Sequence, residues 1–181
     1  MFQSRVLQSR VEAPDYVEPI VGWRLWRISE RGGQSRLRSL FVDDVWPYVE
    51  PLEARCAIPR LWRRSRATHP APHDDCDCGI YATLWSIVAS HLGHSRWHRR
   101  PAFAVGEVAL WGTVVEGELG WRSTFAYPQR MFLLVPRKTD VFHTLRVTSD
   151  LERYEVPVEP VDVYSARTAA ASIEARMKAV A

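Results

Sequence analysis

Phe103–Val115 reads FAVGEVALWGTVV, and this run decides the fold. Its apolar residues occupy both alternating sides, as in a strand buried on two faces, and no helical stripe emerges. Gly106 and Gly112 stand where a strand can bend to curl a sheet. EGELG comes next as a turn. WRSTFAY then alternates, with Trp121, Ser123, Phe125 and Tyr127 on one side, and MFLLVP (Met131–Pro136) reads as another short buried strand.

Working outward, IVGWRLWRIS (Ile20–Ser29) and RLRSLFV (Arg36–Val42) flank a Gly32-Gly33 turn and predict a β-hairpin. Pro47 and Pro51 interrupt the next stretch, so VEPLEARCAI supports only a short edge strand. Residues 59–78 hold Pro59, Pro70 and Pro72 and read as a long loop. Gly79–Gly93, GIYATLWSIVASHLG, predicts the internal helix, with Ile80, Leu84, Ile87, Val88 and His91 on its inner side. VFHTLRV and YEVPVEPVDVY predict edge strands or an extended strap. SARTAAASIEARMKAVA predicts a terminal helix capped by Ser165, made small-faced and mildly amphipathic by Ala169, Ala170, Ala171, Ile173, Met177 and Val180. The expected architecture is α+β: a small curved, mainly antiparallel sheet or partly open barrel with one internal and one C-terminal helix. Its expected parts are an arm (1–19), a metal-stabilised domain (20–138), a strap or edge strands (139–163) and the helix (164–181).

The composition is globular, with 46% hydrophobic and 25% charged residues in 181. A net charge of +3 does not suit a chain that coats nucleic acid indiscriminately. No apolar run approaches the roughly 18 residues of a membrane span, and MFQSRVLQSRVEAPD lacks the core of a signal peptide. A cytoplasmic protein without membrane attachment is therefore expected. Arg outnumbers Lys 22 to 2, a skew that GC-rich coding produces without any binding role.

All three cysteines, Cys56, Cys76 and Cys78, fall within one short region beside H-P-A-P-H-D-D-C-D-C-G-I-Y-A, His69–Ala82. An odd count argues against a secreted disulfide framework. In extended chain, positions i and i+2 point the same way, so Cys76 and Cys78 can present two sulfurs to one ion. Cys56 and a histidine complete a Cys₃His set, the donor set of a closed structural zinc site. Either His69 or His73 can supply the nitrogen; the stiff arc of Pro70 and Pro72 favours His69. The same four residues can hold a [2Fe–2S] cluster. Without metal, Cys78 at the expected helix start is a candidate redox thiol.

The string H-x-A-P-x₃-C-x-C-G-I-Y-A, with the later E-V-A-L-W-G-T-V-V-E-G and G-W-R, resembles a pattern shared by a group of open reading frames from high-GC bacteria. The resemblance spans about Val21 to Pro136. It implies His69 over His73 and carries no activity with it.

Two basic-aromatic clusters flank the cysteine motif and the helix: Arg60, Trp62, Arg63, Arg64 and Arg66 before, and Arg96, Trp97, Arg99 and Arg100 after. Arginines for phosphates with an indole for stacking are what single-stranded nucleic acid requires; solvated loops explain them equally well. His91, His94 and His98 share one helical face only if the helix continues past Gly93, so a second metal site is not expected. There is no G-x-S-x-G, phosphate loop, G-x-G-x-x-G or H-E-x-x-H, and Pro70-Ala71 succeeds His69 where a zinc deaminase needs glutamate. No enzyme is indicated. The expected function is a zinc-stabilised binding or regulatory module with nucleic acid as leading ligand, the alternatives being a protein-interaction adaptor and a [2Fe–2S] or thiol redox sensor.

Overall fold

The structure, a computed structural model, describes residues 10–12, 18–56, 69–94, 103–136, 138–163 and 166–180. Its frame is one long hairpin, β6 (Phe103–Gly117) and β7 (Gly120–Pro136), paired from Phe103↔Leu134 to Gly117↔Gly120. The register slips between Glu107 and Val108 and again between Trp111 and Val114. A glycine stands beside each slip. A Cβ on Gly106 would lie 1.9 Å from the Arg130 carbonyl oxygen, and Gly112 has φ +77°. Pro128 pairs with Val108 at the first slip, where a strand tolerates a missing N–H. WRSTFAY and MFLLVP are thus halves of one bent strand.

On the far edge of β6 lies β2 (Ile20–Arg31), paired from Ile20↔Leu110 to Arg27↔Phe103. β2 turns through Gly32 and Gly33, both at positive φ, into β3 (Gln34–Arg38), the backbone a two-residue hairpin turn demands. β5 (Ile80–Thr83) pairs with residues 120–123 of β7 and touches β2 at Trp23↔Thr83. That contact closes β6, β2, β5 and β7 into a ring. β4 (Leu52–Glu53) adds to β7 at Ala126 and Phe125. β8 (Val158–Val163) adds further along, in parallel. β1 (Arg10–Glu12) pairs with residues 113–115 of β6, within the stretch expected as an arm. The curved, mainly antiparallel, partly closed α+β fold is as expected.

Among the described residues three helices cover this sheet. α1 (Trp85–His94) and α3 (Ala166–Val180) bury Val88, Leu92, Ala169 and Ile173 against Val105, Phe132, Leu134, Val161 and Val163. Each large apolar side chain so buried contributes about 1.5–3 kcal/mol. The apolar face of α3 is therefore used within its own domain. α2 (Val141–Glu152) places Val147 and Leu151 with Trp26, Leu37, Trp46 and Tyr154 in a second core. The open edge of β3 is covered: the Ser35 N–H donates to Asp150 at 2.8 Å and the Leu37 N–H to the Tyr154 hydroxyl at 3.1 Å.

Two expectations are corrected. The helix read over Gly79–Gly93 is a strand and then a shorter helix. Ile80 and Ala82 are buried while Tyr81 is exposed, a period of two, and the helical period starts only at Trp85. Val88 and Leu92 form the buried side; Leu84 and His91 are exposed, and the His91 ring lies 3.1 Å from the Ile87 carbonyl of its own helix. Within 139–163, VFHTLRV is helical. Asp140 caps α2 by accepting from the His143 N–H, and the buried pair Val147–Leu151 spans the end of the apolar heptamer, so the heptamer alone conceals the helical period. Ser165 lies outside the described residues.

Candidate metal centre

Cys56 and Cys78 stand 22 residues apart on either side of a long loop, and β7 brings them together. The Ala54 N–H donates to the Thr124 carbonyl at 2.7 Å, where β4 leaves β7. Ile80 pairs with Ser123, where β5 joins the same edge. Each cysteine stands two residues from these neighbouring anchor points. Between them the chain from Pro70 to Asp77 folds back over β7, with a tight turn in which the Cys76 N–H donates to the His73 carbonyl at 3.0 Å.

The resulting cluster holds one donor atom each from Cys56, His69, Cys76 and Cys78, all within 4.8 Å of one another. Cys56 Sγ lies 3.8 Å from Cys76 Sγ and 3.3 Å from His69 Nε2; Cys78 Sγ lies 3.8 Å from His69 Nδ1. With a metal–sulfur bond of about 2.3 Å, the edge of a tetrahedral zinc site is about 3.8 Å. The four donors thus have the size of one tetrahedron. His69 Nδ1 is 3.0 Å from the Pro70 carbonyl; with its proton donated there, Nε2 is left as the ligand atom. His73 is exposed, its ring tilted against His69 at 4.5 Å, and its Nδ1 accepts from the Asp75 N–H at 3.3 Å. It is the His69 ring, not that of His73, that lies against the sulfurs.

The thiols cannot share negative charge evenly by themselves. Burial pushes Cys76 up, but the Cys78 N–H and hydrogen bonds with the side chains of Cys78, Cys56 and His69 outweigh it and hold Cys76 below the ordinary thiol range. Burial, the hydrogen bond with Cys76 and the nearby charge of Cys76 and Cys56 push Cys78 up to about 11. A cation among three sulfurs relieves this conflict, and the donor chemistry fits a thiophilic ion such as zinc. Cys78 precedes a strand and not the expected helix start: β5 begins at Ile80 and α1 only at Trp85.

The part not legible in sequence is the floor of the site. Arg122 is buried on β7, and its Nη1 donates to the carbonyls of His73 at 3.0 Å and Cys78 at 3.1 Å, and to that of Cys76. Its cross-strand neighbour Tyr81 donates its hydroxyl to the Asp77 carbonyl at 2.7 Å. Thr124 Oγ1 donates to the Ala71 carbonyl at 3.0 Å. Were a dication held by three thiolates here, one net negative charge would remain, and the Arg122 guanidinium would balance it. In sequence, Arg122 and Thr124 occupy the apparently solvent-facing positions of WRSTFAY; only the register under the loop reveals their role. Gly79 completes the fit: its φ is +128°, and a Cβ there would lie 3.1 Å from Arg122 Cβ and 3.2 Å from Pro72 Cβ.

Among the described residues this is the one group of side chains arranged for a metal ion. Arg60, Trp62, Arg63, Arg64 and Arg66 lie outside the described residues, as do Arg96, Trp97, Arg99 and Arg100, together with His98. Among the described residues no helix is long and apolar enough to cross a membrane. Comparison of the chain with protein-family models, with curated proteins and with solved structures finds no match.

Proposed function

We propose that this chain is a zinc-stabilised binding module in which Cys56, His69, Cys76 and Cys78 hold one structural ion, with nucleic acid as its ligand class. The observation that carries the metal reading is the convergence of the four donor atoms within 4.8 Å. Four protein ligands leave no open coordination position, which separates a structural from a catalytic zinc site. When bound, the ion supplies a cross-link between the end of β4, the His69–Cys78 loop and the start of β5. The compactness of the set favours a single ion over a [2Fe–2S] cluster, whose two irons hold their outer ligand pairs farther apart than one tetrahedron's edge. Nucleic acid is supported by the arginine–tryptophan composition of 60–66 and 96–100, segments that adjoin the loop and α1 in sequence.

Elemental analysis with an ultraviolet–visible spectrum tests the metal reading. The expected result is about one zinc per chain, no visible absorbance, and loss of tertiary structure on chelation. Fully folded metal-free protein overturns it.

A further inference from the structure

The β2–β3 hairpin outruns the sheet that supports it. β2 pairs with β6 only as far as Arg27↔Phe103, whereas its pairing with β3 runs from Arg27↔Arg38 through Ser29↔Arg36 to Arg31↔Gln34. Residues directly opposite in an antiparallel pair project to the same side. Arg27, Ser29, Arg31, Gln34, Arg36 and Arg38 therefore share one face of the ribbon. The other face carries Ile28 and Leu37 into the core beneath α2.

That shared face holds four arginines and no acid. Arg38 is paired with Asp43. Among the described residues no carboxylate forms an ion pair with Arg27, Arg31 or Arg36, and Arg27 and Arg31 are exposed. Arg36 is held by stacking: its guanidinium lies 4.6 Å from the ring centroid of Tyr48, and that of Arg153 lies at the same distance from the same ring. Tyr48 is itself fixed by donating its hydroxyl to the Ser35 carbonyl at 2.8 Å. Like charges directly opposite, as at Arg27↔Arg38, destabilise a hairpin. Asp43 offsets Arg38 alone, so Arg27 opposite it keeps an unbalanced charge.

We propose that this arginine face of the β2–β3 ribbon is a binding surface for the phosphodiester backbone of nucleic acid. The proposal rests on the nucleic-acid part of the function proposed above and places it on residues that reading did not contain. Arg27 to Arg31 spans about 13 Å of extended chain, a length over which one strand of a duplex presents about four phosphates. Guanidiniums offer paired N–H donors that match phosphate oxygens, and stacking on Tyr48 removes part of the ordering cost. Ser29 and Gln34 add neutral hydrogen-bonding groups between the charges.

The test is binding of the zinc-loaded full chain to a labelled single strand and a duplex of roughly 20 nucleotides, with affinity measured from about 50 to 200 mM salt. The double variant Arg27→Gln/Arg31→Gln is expected to bind about tenfold more weakly, with a salt slope smaller by about 1.4 on the single strand or about 1.8 on the duplex. The variant Lys138→Gln/Lys178→Gln removes the same charge at exposed lysines away from the ribbon and is expected to keep the slope of the parent. All four side chains are at the surface, and zinc content with circular dichroism confirms that each variant is folded. Binding by the parent with affinity and slope unchanged in Arg27→Gln/Arg31→Gln overturns the ribbon surface and leaves the wider nucleic-acid reading standing. No binding of either oligonucleotide at low salt overturns both, and binding to heparin alone counts in the same way.

Discussion

Arg122 donates from Nη1 to the carbonyl oxygen of Cys78 at 3.1 Å. The bond ties a buried charge on the long strand β7 to the backbone of a candidate metal ligand. The same nitrogen also serves the His73 and Cys76 carbonyls, so a single guanidinium sets the curvature of the whole loop.

Arg122→Ala takes the side-chain donor from the Cys76 and Cys78 carbonyls and leaves that of His73 with only the Cys76 N–H. The expected cost is about 3 kcal/mol, a fall in Tm of roughly 6–12 °C for a chain of this size. Zinc affinity is expected to drop by about 10–100-fold, as for other losses of support behind metal ligands. Arg122→Lys keeps the charge but not the fork of donors, and is expected to recover little of either. Thermal unfolding and competition with a chromophoric chelator measure the two effects.

His69 and His73 lie ring against ring but have different roles. His69→Ala is expected to lose stoichiometric zinc, whereas His73→Ala retains about one ion per chain. Elemental analysis of the two proteins decides the matter, and the reverse pattern would show the wrong histidine assigned. Because thiolate and imidazole bind metal only when deprotonated, acidification is expected to release the ion and loosen the loop together.

Gly79→Ala places a methyl group between Arg122 and Pro72 at a backbone angle that side chains rarely adopt. A loss of about 2 kcal/mol is expected in urea unfolding. Gly33→Ala is the control: it has positive φ but nothing within 4 Å of an added Cβ, so only about 1–2 kcal/mol of left-handed strain applies.

Tyr154 is fully buried and bonds both ways, accepting from the Leu37 N–H at 3.1 Å and donating to the Trp46 carbonyl at 2.9 Å. Burial holds its phenol well above the usual tyrosine range, and burial raises Tyr48 and Tyr127 in the same direction. A pKa raised in the folded state means that stability is fully present below about pH 10, the unfolded value, and declines as pH rises toward the folded one. Tyr154→Phe is expected to cost about 1–3 kcal/mol at neutral pH and to make the alkaline loss shallower. Denaturant midpoints across pH 8–11 would show whether the two curves converge.

Residue patterns within single segments set out the two hairpins and the gathering of three cysteines with two histidines. Period-two patterning in Phe103–Val115 and Trp121–Tyr127, the paired glycines of the first hairpin and the C-x-C spacing are local signals, governed by the chain's own geometry. Local patterning misjudged the start of α1 and missed α2, because a strand of four residues and an apolar heptamer each fit two periods. It takes the folded chain to show that His69 and not His73 faces the sulfurs, that Arg122 lies beneath the loop, and that arginines of β2 and β3 share a face. Those relationships depend on strand register, which aligns residues distant in the chain through hydrogen bonds that no single segment encodes.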